Sequence, residues 1–431
     1  MKNIMGMPLC VEPSHALPLV DVELVVLRGA LGDPDGLEGL THLTARLMRR
    51  GPKGMRAEAF DEQLDRLGAT LGLSVSHEHM RLGGTVLRRN LEPYLALVGR
   101  MLTQPGLRPK DFTKLRRRSI ADRVALRDHD RSLAARAFRR ELFGAHPYGR
   151  PVAGTQKSLA KIRRADVIAR HEALVRRGHI LIGIAGDITE EEVAPLLEGA
   201  LREVPKGTSR RPRARAPKLQ KGRRVFVVDK PERSQTQLYV GTLGAKVGDA
   251  GHAALVVGNT GFGGTFTSRL MKEVRSERGW SYGASSRVGA DRQRDAWTMW
   301  THPGADQLVD CLALELELLD RWVSKGLSAT EVKRAKRFLI KSHAFDRETA
   351  SKRLEPRLEA LAYGLPEDWP MGFERRVGQV SAKAAKAAVI EHLDPSALTI
   401  AMVATATPEL LERLAALPRI ASVQTLSVTD L

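Results

Sequence analysis

Apolar and polar residues along the chain follow two different periods, one typical of strands and one of helices. Apolar residues stand at every second position from Val20 to Val26, which predicts a half-buried strand. Asp33–Gly36 has the composition of a turn. The patterns that follow predict a helix over Gly39–Arg50, paired strands at Leu71–Val75 and Leu82–Val86, and helices over Leu91–Met101 and Phe112–Arg127.

The two halves of the chain end in the same order of elements. The first half ends in a buried strand that begins near His179, a turn, and a helix running to Val204. The second half repeats this order from Ala397, and Thr189 and Thr407 are the predicted caps of the two helices. A repeat of about 210 residues indicates duplicated domains, because solenoid repeats are far shorter. We therefore predict an α+β chain made of two homologous two-layer α/β domains.

A basic segment separates the two halves. Arg210–Arg224 contains eight basic residues, two prolines and no acidic residue, which predicts an extended, self-repelling linker. A polybasic binding segment is the alternative. The predicted division is an N-terminal domain over residues 1–209, the linker over 210–224 and a C-terminal domain over 225–431. In the C-terminal domain we predict strands at Val225–Val228 and Gln237–Val240 and a helix over Cys311–Trp322. A second helix is predicted to begin with a capping box at Ser328–Glu331.

Composition narrows the classes of function. The sequence contains no apolar run near the ~20 residues of a membrane span and no signal-peptide core at its start, and it has only two cysteines. These features predict a cytoplasmic protein without membrane contact. The net charge of +19 is compatible with nucleic acid, but only 5% of residues are aromatic, which is few for base stacking. An acidic protein partner or acidic peptides explain the charge better.

One segment has the spacing of a zinc-peptidase motif but lacks its chemistry. In the pattern H-x-x-E-H, two histidines bind zinc and the glutamate activates water. Here His42 is present, Ala45 stands where the glutamate belongs, and Arg46 stands where the second histidine belongs. One functional group of three survives, so we predict neither a general base nor a complete metal site at this position.

Several segments together resemble the pitrilysin/insulinase family of zinc peptidases, in its half-size branch of chains similar to the mitochondrial processing peptidase. The resemblance implies that the two domains form half of a clam-shell. It also implies a third zinc ligand, a glutamate, at the position of Asp122. The matching segments are Asp33–His42, His146–Thr155, Gly183–Asp187, Val228–Gln235, Gly261–Leu270 and Glu273–Gly283.

A metal elsewhere in the sequence is not favoured. His77 and His79 are two residues apart on a predicted strand and would share a face, with Glu78 on the opposite one. We interpret them as exposed polar residues. Asp128–Asp130 is interpreted as a solvated helix end. The predicted metal content of the chain is therefore none.

The second half keeps a different part of the family's site. The resemblance implies that Arg275 and Tyr282 bind the carbonyl of the scissile bond and stabilise the oxyanion, a role that suits two hydrogen-bond donors. The structural alternative is that Arg275 pairs with an acid on its own helix and Tyr282 packs at a strand start. Gly261, Gly263 and Gly264 would hold peptide on a cavity wall, or would form a plain turn. They match no nucleotide-binding motif.

This combination predicts a subunit that is not catalytic by itself. The resemblance implies a heterodimeric zinc metallopeptidase, in which a homologous partner with an intact H-x-x-E-H motif holds the zinc and this chain supplies Arg275 and Tyr282. The substrates would be peptides. A stand-alone peptide-binding or scaffold protein of the same fold is the alternative, and a basic nucleic-acid binder is a more distant one.

Overall fold

A computed structural model describes residues 2–207, 211–212 and 214–431. Residues 208 and 209, and Arg210 and Arg213 of the predicted linker, lie outside the described residues. Within the described ranges the chain forms two six-stranded mixed sheets and sixteen α-helices, which confirms the α+β class with two homologous domains. No helix in these ranges combines the length and apolar character that crossing a bilayer demands.

The two sheets share one topology. The first has the order β1-β2-β6-β3-β5-β4 and the second the order β12-β7-β11-β8-β10-β9. In each sheet one central pair is parallel (β2 with β6, β7 with β11) and the next three pairings are antiparallel. Only the outermost strand differs, since β1 is antiparallel and β12 parallel to its neighbour. The strands are β1 Lys2–Ile4, β2 Met7–Pro13, β3 Leu19–Val26, β4 Gly72–Val75, β5 Met80–Leu87, β6 Ile180–Gly186, β7 Arg223–Asp229, β8 Gln237–Leu243, β9 Ala284–Val288, β10 Ala296–Thr301, β11 Thr399–Ala404 and β12 Ile420–Ser427.

The predicted helices are present, with shifts of a few residues at their ends. Thr189 and Thr407 accept hydrogen bonds from backbone amides of the first turn, as predicted for caps. The Ser328 capping box is also confirmed. The helices are α1 Leu40–Met48, α2 Ala57–Arg66, α3 Leu91–Thr103, α4 Pro109–Ala125, α5 Asp130–Phe143, α6 Gln156–Lys161, α7 Arg164–Leu174, α8 Glu190–Ala200, α9 His252–Phe262, α10 Arg269–Met271 (continued by a π-helical segment, Lys272–Glu277), α11 Leu308–Lys325, α12 Ala329–His343, α13 Ala350–Tyr363, α14 Phe373–Gly378, α15 Ala382–His392 and α16 Pro408–Ala415.

Each compact unit includes a helix from the other half of the sequence. The first unit comprises Met1–Val124, Pro151–Ala214 and Phe345–Pro370, and the second comprises Ala125–Arg150, Arg215–Ala344 and Met371–Leu431. Helix α13 therefore packs on β6 and β2 of the first sheet, and α5 packs on β11 and β8 of the second. The predicted domains, 1–209 and 225–431, were each one continuous stretch of sequence, whereas each unit of the structure is built from three separate stretches. The predicted linker also ends earlier than Arg224, because β7 begins at Arg223.

Glycines allow the exchanged helices to approach the sheets. A Cβ atom on Gly183 of β6 would lie 2.4 Å from Leu358 Cδ1 of α13. A Cβ atom on Gly241 of β8 would lie 2.8 Å from Phe138 Cζ of α5. Glu12 of β2 adds an ion pair to Arg353 of α13, at 2.6 Å. One face of each sheet is thus packed against a helix that the local sequence does not supply.

Candidate functional site

The helix that carries the degenerate motif is firmly anchored at its N-terminus. Asp33 is buried and accepts hydrogen bonds from the backbone amides of Gly39 (3.1 Å) and Thr41 (3.0 Å) at the start of α1. Arg170 of α7 donates to the Thr41 hydroxyl at 2.7 Å and lies 3.6 Å from the Asp33 carboxylate. A carboxylate at a helix N-terminus satisfies otherwise unpaired amides and suits the helix dipole. These contacts hold His42 and Arg46 at defined positions on α1.

Two of the segments that carry the family resemblance meet at this anchor. Gly39 has φ +94° and Gly154 has φ +78°, conformations that favour glycine. A Cβ atom on Gly39 would lie 2.8 Å from the Gly154 Cα atom, so both positions need a residue without a side chain. The Ser158 hydroxyl closes the junction by donating to the Glu38 carbonyl oxygen at 2.7 Å. The end of the second segment, around Gly154, therefore packs against the start of α1 at the end of the first.

Arg46 fills the place of the missing zinc ligand with an ion pair. Its Nη1 atom donates to the Ser119 hydroxyl of α4 at 2.9 Å and lies 3.5 Å from the Asp122 carboxylate. Asp122 is the position at which the resemblance places the third zinc ligand. The cation that replaces one ligand is thus neutralised by the residue that replaces another. Ala45, at the position of the general base, is buried and offers only a methyl group.

These residues do not fit a zinc ion. Burial, followed by the charges of Arg46 and Arg123, lowers the pKa of His42 to about 4, although Asp122 opposes the effect. His42 is therefore neutral at pH 7, but it is the only histidine of the motif, and a guanidinium stands beside it. A catalytic zinc needs about three protein ligands. Within the described ranges no group of three His, Cys, Asp or Glu side chains is arranged to hold a metal ion.

The structure corrects two interpretations of nearby polar residues. His77 and His79 lie in the turn between β4 and β5, not on a strand, and Glu78 is buried. Burial, followed by the charges of Arg81 and Arg211, lowers the pKa of His79 to about 4. The two-residue spacing of the histidines indicates a shared face only within a strand, and β4 ends at Val75, before His77.

The Asp128–Asp130 segment is not a simple solvated helix end. Asp130 begins α5, and its carboxylate accepts from Lys230 at 2.6 Å and lies 3.2 Å from Arg233. Lys230 directly follows β7, so these contacts join the exchanged helix to the second sheet. Their role is structural, and the sequence could not show it because the partners are about a hundred residues apart.

Arg275 and Tyr282 lie close to each other in sequence on an irregular segment, in which Arg275 is half-buried and Tyr282 is exposed. Arg275 belongs to the π-helical segment Lys272–Glu277, and its guanidinium lies 4.5 Å from the centre of the Phe266 ring. Tyr282 is 80% exposed, and Phe266 is 66% exposed. The hydroxyl of Ser281, which is buried, donates to the Gly283 carbonyl oxygen and accepts from the His302 amide, and this fixes the backbone from which Tyr282 projects.

Neither structural alternative for this pair is seen. Arg275 makes no ion pair with any acid among the residues that the structure describes, and Tyr282 does not pack into the start of β9. Phe266 was missed by the sequence analysis. An aromatic residue directly after a glycine-rich segment is a weak signal, and only the structure places its ring against Arg275. The role of Arg275 and Tyr282 in substrate binding stays a prediction.

The three glycines have packing roles that the sequence did not separate. Gly261 lies inside α9, where a Cβ atom would be 2.5 Å from Leu327 Cδ1. Gly263 follows the helix and accepts a hydrogen bond from the Ser286 amide of β9 at 2.8 Å, so a side chain there would collide with Ser286. Gly264 is similarly close to Thr260. The segment is a helix end pinned to β9, and its predicted contact with peptide is untested.

Two family models match the chain. The model described as Insulinase (Peptidase family M16) matches residues 11–156, and the model described as Peptidase M16 inactive domain matches residues 161–339. Together they cover strands β3 to β10 and the Arg275–Tyr282 segment. The chain belongs to the M16 insulinase family. The recognition from sequence is confirmed, and the residues at the H-x-x-E-H position are those of a non-catalytic member.

Individual relatives within the family are distant but cover most of the chain. A protein of Helicobacter pylori named non-peptidase homolog YmxG is 23% identical over 93% of this chain and 92% of its own length. An uncharacterized zinc protease of Mycobacterium leprae is 24% identical over 77% of this chain and 75% of its own length. A crystal structure of a peptidase M16 inactive domain from Pseudomonas fluorescens superimposes with a TM-score of 0.88 at 22% identity, covering 94% of this chain and 97% of that one. This likeness establishes the fold.

Proposed function

We propose that this M16 member is the non-catalytic subunit of a heterodimeric zinc metallopeptidase. Its partner would be a homologous subunit with an intact H-x-x-E-H motif and a bound zinc ion. This chain would complete the peptide-binding chamber and supply Arg275 and Tyr282. The observation that carries the proposal is the contrast between the two motifs. Arg46 is engaged by Asp122, whereas among the described residues Arg275 has no ion pair and stacks on an exposed Phe266 ring, and Tyr282 projects into solvent.

The exposed segment has the chemistry that the role requires. A guanidinium and a phenol hydroxyl both donate hydrogen bonds, and developing negative charge on a carbonyl oxygen is stabilised by such donors. Stacking on Phe266 restricts the Arg275 side chain, which reduces the entropy lost when it binds. Exposed aromatic rings such as Phe266 and Tyr282 are also typical of surfaces that contact a ligand or partner.

The comparisons support a family in which both kinds of chain occur. The relatives include one named as a non-peptidase homolog and several named as uncharacterized zinc proteases. In the proposed pair, the zinc site of the partner would activate water, and Arg275 and Tyr282 would hold the carbonyl of the peptide. The net charge of +19 favours an acidic partner or acidic peptides. We propose a cytoplasmic location for the pair.

The proposal is tested by reconstitution. The chain is co-expressed with a homologue from the same genome that carries an intact H-x-x-E-H motif. Size-exclusion chromatography with light scattering then gives the stoichiometry, metal analysis gives the zinc content of each subunit, and fluorogenic peptides report turnover. We expect a one-to-one complex with zinc in the partner alone and turnover that needs both subunits. Each subunit assayed by itself is the control.

Two outcomes would contradict the heterodimer. Full activity of the partner without this chain would remove the proposed contribution of Arg275 and Tyr282. A chain that binds peptides alone, forms no complex with the homologue and leaves its turnover unchanged would favour the stand-alone scaffold. Stoichiometric zinc in this chain would contradict the non-catalytic assignment itself, because Ala45 and Arg46 leave too few ligands.

A further inference from the structure

The second unit contains a cavity of about 410 Å³ whose lining is mostly cationic. The cavity lies where the segment after α10 meets the end of α11 and the start of α12. Its volume is within the range of about 300–1,000 Å³ that is typical of small-ligand sites. The charged residues of its lining are Arg269, Lys272, Arg321, Lys325 and Arg334, with Glu273 and Glu331 as the two acids.

Both acids of the lining are already compensated by arginines. Glu331 accepts from Arg269 at 2.9 and 3.2 Å, in a two-pronged contact. Glu273 accepts from Arg278 at 2.8 Å. Arg321 in turn pairs with Glu317, which lies outside the lining. The carboxylates of the lining are therefore engaged by arginines and are not paired with Lys272, Lys325 or Arg334.

Lys325 and Arg334 are the cations that remain. Neither makes an ion pair or a hydrogen bond within the parts of the chain that the structure describes, and both are exposed. Lys272 lies 3.9 Å from the Glu277 carboxylate, which is too far for a hydrogen bond. Three cations from three elements thus face one concave space. Only one carboxylate, that of Glu277, lies near the three of them, so the cations repel one another, and an anion between them would relieve the repulsion.

The frame around these cations is rigid. Gly326 ends α11 with φ +75°, and Arg269 reaches its carbonyl oxygen at 3.4 Å. Helix α12 begins two residues later with a complete capping box, in which Glu331 accepts from the Ser328 amide at 2.8 Å. A site held in this way needs little rearrangement to bind, which favours affinity. The cavity is therefore preformed around Lys325 and Arg334.

We propose that this cavity binds a multiply charged anion bearing phosphate or carboxylate groups. Lys272, Lys325 and Arg334 would contact the anion, with the Arg334 guanidinium able to bind two oxygens at once. Lys272 and Arg275 lie on the same π-helical segment. A bound anion would therefore also restrain the segment that carries Arg275. The anion site does not depend on the heterodimer, and it is tested on the chain alone.

The test is calorimetric titration of the full chain with two probes, inorganic tripolyphosphate and a tetraglutamate peptide. We compare Lys325→Gln, Arg334→Gln and the double variant with the parent chain. The matched control is the double variant Lys333→Gln/Arg337→Gln, which removes two exposed charges from α12 outside the lining. Circular dichroism checks that each variant is folded, and we expect it to be, because none of the substituted side chains has a partner among the described residues.

We expect each single cavity variant to weaken binding about five- to tenfold and the double variant to abolish measurable binding, since each removes a charge-assisted hydrogen bond. The control should change affinity less than about twofold, because its two charges act on the anion only through the overall electrostatic field of the protein, which salt screens. Binding of tripolyphosphate only would identify phosphate groups as the ligand chemistry, and binding of the peptide only would identify carboxylates. Absence of binding for both probes, or equal losses in the control, would overturn the proposal.

Discussion

A buried acid in the second unit provides a stringent test of the packing. Glu315 of α11 is fully buried within the apolar core, and neither of its carboxyl oxygens has a hydrogen-bond partner among the described residues. Burial raises the pKa of Glu315 to about 8, and the neighbouring hydroxyl of Thr301 offsets only part of that rise. The folded chain therefore keeps this carboxyl protonated at neutral pH. Cys311, one turn earlier, has its own pKa raised by the same burial.

The perturbation is Glu315→Gln, and its sign follows from the two pKa values. In the unfolded chain the carboxyl ionises near pH 4.5, whereas in the folded chain it ionises only near pH 8. The folded state holds the extra proton between these values, so Glu315 makes the free energy of unfolding fall as the pH rises from about 4.5 to about 8. The full difference corresponds to about 5 kcal/mol. Glutamine does not ionise, so the variant should lose this dependence.

The assay is urea unfolding followed by tryptophan fluorescence at several pH values from 5 to 9. Four of the five tryptophans lie in the second unit, and Trp297 and Trp322 are buried in the same core as Glu315. We expect the parent to lose several kcal/mol relative to Glu315→Gln between pH 5 and pH 8. Glu317→Gln, an exposed position two residues away on the same helix, is the matched control and should behave like the parent.

Parallel pH profiles for the parent and Glu315→Gln would refute the reasoning. They would mean that Glu315 reaches solvent or a counter-charge in the folded chain. A lower stability of the glutamine variant at every pH would not by itself be informative, because a buried amide also lacks partners. The difference in slope is the decisive quantity.

Three further predictions concern the first site, the exchanged helices and a cap. Arg46→Gln should raise the pKa of His42 above 4 in an NMR titration but leave it below 6.5, because burial is the larger cause of the shift. An unchanged pKa would show that the Arg46 charge does not contribute to the shift. Gly241→Ala should lower the free energy of unfolding by at least about 2 kcal/mol, because the new Cβ would lie 2.1 Å from the Trp297 backbone oxygen of β10 and 2.8 Å from Phe138 of the exchanged helix α5, whereas Gly199→Ala in open space should not destabilise. Ser328→Ala should cost about 1 kcal/mol in thermal or urea unfolding, and Ser328→Thr should restore most of it.

Features with a local cause were predictable from the sequence. The alternation around Val22 specifies β3, and the Thr189 and Ser328 caps start their helices, because each depends on residues within one or two turns. The exchange of α13 was not predictable, since it depends on contacts between Gly183 and Leu358 that are far apart in sequence. Apolar periodicity shows that a helix has a face to bury but not which sheet will cover it.

In the candidate site, too, some features were predictable from the sequence and others only from the structure. The loss of the zinc motif was readable at Ala45 and Arg46, and the family resemblance placed Asp122. The ion pair between Arg46 and Asp122 was not foreseen, because it needs the spacing of α1 and α4 in three dimensions. Phe266 against Arg275 was likewise visible only in the structure. The sequence thus identified the residues that changed, and the structure showed what the changed residues do.

The most direct test of the account is the turnover number of the reconstituted pair with substitutions in this chain alone. Arg275→Ala and Tyr282→Phe should each lower kcat by about 100-fold, the loss expected when one donor to an oxyanion is removed. Arg278→Ala, three residues from Arg275 and already paired with Glu273, is the matched control and should retain activity. Unchanged kcat in both variants, with the complex intact, would contradict the claim that this chain contributes to the active site of a partner.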